Sequence, residues 1–68
     1  MPMITVQMFP GRTAEQKAEL VAKLTDAFLE TCGTPGQSRH GVWVVINEVP
    51  REHWAVGGKL REPPFPED

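Results

Sequence analysis

Two residues near the start of the chain have the chemistry for proton transfer. Pro2 directly follows Met1, and aminopeptidases remove an initiator methionine that precedes a small residue. Removal would leave Pro2 with a free secondary amine, which can serve as a base, a nucleophile or, once protonated, an acid. An α-amino group titrates at about 7.7–8.0 in model peptides. Burial beside a cation disfavours its protonated form and lowers that value. If Met1 persists, the nitrogen is an amide and the base is lost. Arg12, in the run Gly11-Arg12-Thr13, is a candidate cation for such a site, because a guanidinium holds a carboxylate through two parallel hydrogen bonds. Taken alone, Met-Pro is also simply a compact start, and Arg12 a solvated turn residue.

Other reactive side chains carry weaker signals. His40 and His53 have no cysteine or acidic partner at a ligand-like spacing, so no metal is expected. Cys32, at the end of a helical pattern, reads as a packing residue. Glu48 reads as a salt-bridging residue, and His53 as a surface or interface residue.

The elements that must position these groups follow from periodicity. From Met3 to Phe9, Ile4, Val6 and Met8 alternate with Thr5, Gln7 and Phe9, the two-residue period of a half-buried strand. Pro10-Gly11 ends it. Thr13 and Gln16 form a capping box that starts a helix over 14–32, with Glu15 in the first turn where the dipole favours an anion. Leu20, Val21, Leu24, Ala27 and Phe28 form its apolar stripe, and Gly33 followed by Pro35 stops it. A polar loop over 33–41 carries Arg39 and His40. Val42 to Ile46 is a β-branched and aromatic run, the pattern of a strand covered on both faces. Gly57-Gly58 predicts a tight hairpin turn, and the proline-rich tail over 61–68 is expected to be extended, either disordered or laid along a neighbour.

The fold class is therefore α+β: one domain over 1–68, a small β-α-β protomer with a C-terminal hairpin. Sixty-eight residues bury too little apolar surface to be comfortable alone. With one cysteine, no internal disulfide can form, and with no metal motif the remaining route is oligomerisation. One helix on two strands leaves a sheet face uncovered, which also demands partner chains. A net charge of −2 with interspersed signs carries no nucleic-acid footprint. No apolar run is long enough to span a membrane. A lone thiol without an export signal favours the cytoplasm.

Pro2, Gly11-Arg12-Thr13, Glu15-Gln16-Lys17 and Gly57-Gly58 together resemble the 4-oxalocrotonate tautomerase family over residues 2–60. The resemblance implies a cofactor-independent isomerase that tautomerises an unsaturated or aryl 2-oxo acid. It also implies a hexamer or other trimer-based assembly. It makes Pro2 the general base and Arg12 the clamp on a substrate carboxylate, with Pro2 and Arg12 acting as a pair. Trp54 falls at the family's aromatic position, an apolar wall of the pocket. Trp43 stands where the diacid enzymes carry an arginine that reaches a neighbour's site, and Arg39 or His40, from a longer loop, could replace that cation. There is also some resemblance to the α subunit of the 3-chloroacrylate dehalogenases. That branch uses a second arginine and a water-activating carboxylate at positions held here by Phe9 and Val56, although Glu52 lies close by. Hydration or dehalogenation of an unsaturated acid is thus the weaker alternative. A partner subunit of a hetero-oligomer, completed by a dissimilar chain, is the other.

Overall fold

A computed structural model describes residues 2–60 of the chain. Met1 and the proline-rich tail lie outside the described residues, and so does the expectation of an extended tail. The order is β1 (Met3–Met8), α1 (Ala14–Cys32), β2 (Trp43–Glu48), β3 (Ala55–Val56) and β4 (Lys59–Leu60). Short 3-10 turns at Arg39–Gly41 and Arg51–His53 precede β2 and β3.

β1 and β2 pair in parallel from Met3 opposite Trp43 to Met8 opposite Glu48. One bond extends the ladder at each end: the Trp43 N–H donates to the Pro2 carbonyl at 3.1 Å, and the Val49 N–H to the Met8 carbonyl at 2.8 Å. Pro2 thus begins the sheet where its missing N–H costs nothing. Along β1, Ile4, Val6 and Met8 are half-buried, while Met3, Thr5 and Gln7 are exposed. The strand closes one residue before Phe9, whose ring instead packs on Trp54.

Thr13 caps α1 as its sequence predicts. Its hydroxyl accepts from the Gln16 N–H at 3.1 Å, and the Gln16 side-chain oxygen accepts from the Thr13 N–H at 2.9 Å. Gly11, at φ 123°, takes a backbone conformation that a side chain would strain, which explains the glycine in the turn before the helix. Gly33 ends the helix for a different reason. Its φ is −70°, so no left-handed residue is needed, but an added Cβ would lie 2.6 Å from the Leu29 carbonyl oxygen.

Two expectations need correction. Ala27 is exposed and is not part of the helix's buried stripe. Thr25 takes that place: it is buried because its hydroxyl donates to the Val21 carbonyl at 2.8 Å, which removes the cost of burying a polar group. The second strand is covered on one face only within the protomer. Trp43 is 50% exposed and Val45 42%, next to Met3 at 58%, so the face away from α1 is an open apolar surface. Burying the exposed half of each such side chain would contribute on the order of 1 kcal/mol.

β3 and β4 pair antiparallel, Ala55 with Leu60 and Val56 with Lys59. The two residues between them, Gly57 and Gly58, have φ 63° and 83°, as a primed hairpin turn requires. No helix among the described residues is long and apolar enough to cross a membrane.

Candidate active site

The five residues singled out for chemistry fall at two ends and on two faces of the sheet. Pro2 and Trp43 share one end, joined by the hydrogen bond that opens the ladder. Pro2 is half-buried, and strand alternation places it with Ile4 on the helix side. Trp43 faces the other way, with Met3 and Val45. Pro2 and Trp43 therefore present their side chains to opposite faces of the sheet.

Arg39 lies at the same end, in the 3-10 turn that leads into β2. Ser38 caps that turn by accepting from the His40 N–H at 3.1 Å. The Arg39 guanidinium is ion-paired with Asp26 of α1, so recruiting it to a substrate means drawing it away from that carboxylate. His40 is exposed in the same turn.

Arg12 is at the far end. Six residues of β1 separate its turn from Pro2, about 20 Å of strand at ~3.3 Å per residue. Arg12 lines a cleft of about 300 Å³ with Met8, Gln16, Lys17 and Leu20. Lys17 is held there by Glu48 at 2.5 Å, which is the salt bridge expected of Glu48. The pairing of Pro2 with Arg12 is therefore not made inside one protomer. A straight strand cannot bring its two ends together.

Trp54 also lies at the Arg12 end, but on the outer face. It lines a second hollow of about 290 Å³ with Gln7, Val49, His53 and Ala55. Phe9 packs against it with ring centroids 4.5 Å apart and planes tilted by 42°. That contact gives Phe9 a structural role at the position where the dehalogenases use a second arginine. Val56 is an exposed hairpin residue, 54% accessible, and brings no carboxylate. Glu52 is exposed in the 3-10 turn before it. Among the described residues no group of His, Cys, Asp and Glu side chains is placed to hold a metal ion, and Cys32 is an exposed free thiol.

Comparison with known proteins shows the family of the chain. A family model described as tautomerase enzyme matches residues 2–62. The 2-hydroxymuconate tautomerase of Bacillus subtilis is 48% identical over 59 residues, covering 87% of this chain and 90% of its own. The crystal structure of YwhB, a homologue of 4-oxalocrotonate tautomerase, superposes with a TM-score of 0.77 at 46% identity, covering 87% of this chain and 92% of that one. A heterohexameric 4-oxalocrotonate tautomerase from Chloroflexus aurantiacus superposes with a TM-score of 0.75 at 38% identity over 88% of this chain and 92% of its own. The chain belongs to the tautomerase family of isomerases, and its protomer has the β-α-β fold of the 4-oxalocrotonate tautomerase homologues.

Sequence reasoning missed two placements. Lys17 was legible as part of the Glu15-Gln16-Lys17 run but not as a lining residue of the Arg12 cleft. Arg51 carried no signal at all, and the structure sets it over the Phe9 ring.

Proposed function

We propose that the chain tautomerises an unsaturated or aryl 2-oxo acid, with the free amine of Pro2 as general base and Arg12 as the carboxylate clamp. The observation that carries this reading is the half-buried Pro2 at the start of the ladder in a chain of the tautomerase family. The amine takes the proton of an enol hydroxyl, electrons move through the conjugated system to a remote carbon, and the protonated amine returns the proton there. Atoms balance without a cofactor, and the reaction needs only a neutral amine, a cation for the carboxylate and a pocket that excludes water.

The active site is composed across protomers. An antiparallel or rotated neighbour that brings its Arg12 end against the Pro2 end of this chain supplies the clamp, and its Trp54 supplies an apolar wall. Trp43, on the outer face, is directed at an adjoining copy rather than at its own Pro2. The assembly is a hexamer or another trimer-based form, which the open face of Met3, Trp43 and Val45 supports. A hetero-oligomer is the alternative, since a Chloroflexus relative is a heterohexamer. The lone thiol fits a cytoplasmic setting.

The test is loss of enol absorbance with 2-hydroxymuconate and with phenylenolpyruvate in native protein and in Arg12→Ala. Turnover of either enol, with kcat/KM reduced by about tenfold or more in the variant, is expected for a charged hydrogen bond to substrate. Unchanged kcat/KM would leave Arg12 as a turn residue only.

A further inference from the structure

Lys17 is unlike the other lysine of α1. Lys23 pairs with Glu19 one turn back on the helix, and both side chains are largely exposed. Lys17 instead reaches Glu48 at the end of β2, 2.5 Å away, and only 30% of its side chain is exposed. The backbone sets its place from both sides. The Lys17 N–H donates to the Thr13 carbonyl at 3.0 Å, in the first turn of the capped helix, and Glu48 stands opposite Met8 in the sheet. The bridge therefore fixes Lys17 along the wall of the cleft that it shares with Arg12, Gln16, Met8 and Leu20.

Charge at this cleft does not cancel. Arg12 makes no salt bridge with any described residue, and Glu48 offsets only one of the two cations. One net positive charge remains beside the apolar side chains of Met8 and Leu20, which suits a single carboxylate. An ammonium carries three donors and Glu48 takes one, so Lys17 can donate to a bound anion without leaving its partner. A guanidinium edge covers one side of a carboxylate with two parallel N–H groups, and the oxygens keep lone pairs for a further donor. The lysine and the arginine are thus complementary on one anion.

We propose that Lys17 holds the substrate carboxylate together with Arg12, and that Glu48 is the positioning residue that keeps the ammonium at the cleft. This rests on the reading of the chain as a tautomerase of 2-oxo acids with Arg12 as its clamp. Lys17 acts on the carboxylate and not on the migrating proton, so it sets KM rather than kcat.

The experiment compares native oligomer, Lys17→Met, Lys17→Arg and Glu48→Gln on phenylenolpyruvate and on its methyl ester, which keeps the enol and lacks the charge. In Lys17→Met, KM for the acid should rise by about tenfold while kcat stays within about twofold. Its kcat/KM on the ester should stay within about twofold, which also reports that the variant folds and assembles. Lys17→Arg keeps the cation and should hold KM for the acid within about threefold of native. Glu48→Gln keeps an acceptor for Lys17 and removes the opposing charge, so KM for the acid should fall by about threefold. A bridge that only ties α1 to β2 gives a different pattern, with Lys17→Met and Glu48→Gln both losing on acid and ester alike. That pattern, a KM for the acid that rises in Glu48→Gln, or an unchanged KM in Lys17→Met would overturn the assignment. If Lys17→Met does not assemble, Lys17→Gln removes the charge while keeping a hydrogen bond to Glu48, and the same outcomes apply. Calorimetric titration with hydrocinnamate, which has no enol, separates this proposal from the reading it rests on. Native protein that turns over neither phenylenolpyruvate nor 2-hydroxymuconate would end the tautomerase reading. Hydrocinnamate bound about tenfold more weakly by Lys17→Met would still support the paired cations, and equal affinity, or no binding by that inactive native protein, would overturn them.

Discussion

Mixing two inactive proteins should restore activity if the site is shared between protomers. The perturbations are a residue retained ahead of Pro2, which turns the amine into an amide, and Arg12→Ala, which removes the clamp. Their native positions are separated by the full length of β1, so one chain cannot supply both to one site. In an assembly refolded from equal amounts of the two variants, a given site draws its residue 2 and its residue 12 from different chains. Random assortment then makes about a quarter of the sites intact at both positions. Another quarter keep the free amine but lack Arg12, and half lack the free amine. With general-base loss of about 10²–10⁴-fold, the last group contributes nothing measurable. Even if the Arg12→Ala site keeps about a tenth of native activity, the mixture should reach about 25–30% of the native rate. Were both residues drawn from one chain, no intact site would form and the same mixture would reach at most about 5%. The assay is initial-rate loss of enol absorbance in co-refolded material, against each variant refolded alone. A mixture no faster than the mean of its components would refute the shared site.

Two further outcomes check separate parts of the account. Trp43→Arg should move the ratio of kcat/KM values from phenylenolpyruvate towards 2-hydroxymuconate, because a cation at a developing enolate is worth up to about 2.7–4 kcal/mol; an unchanged ratio would place Trp43 outside any site. Thr13→Ala removes the hydroxyl that caps α1 and should destabilise the fold by about 0.5–2 kcal/mol in thermal unfolding, since Gln16 keeps only half of the reciprocal pair.

The sequence was most informative where local chemistry decides structure. Alternation in β1, the Thr13 and Gln16 box and the Gly57-Gly58 turn each depend on neighbours a few residues apart, and each appears in the fold as its pattern implies. Ala27 and Thr25 exchanged roles because a helical period marks a face without saying that a hydroxyl can satisfy itself on its own helix. The site was legible as a set of residue types but not as a place. Nothing in the spacing of Pro2 and Arg12 says that a straight strand holds them about 20 Å apart, which only the extended geometry of β1 makes plain. Likewise, the pairing of Arg39 with Asp26 and the setting of Arg51 over Phe9 join distant segments, and no local pattern encodes such contacts.

The central claim is that the nitrogen of Pro2, as a free amine, moves the proton. It is tested most directly by comparing kcat for an enol substrate in protein from which Met1 has been removed, verified by intact mass, and in protein that retains a residue ahead of Pro2. Retention turns the amine into an amide and leaves every other described side chain in place. The account predicts a fall of about 10²–10⁴-fold. Equal turnover by the two forms would contradict it.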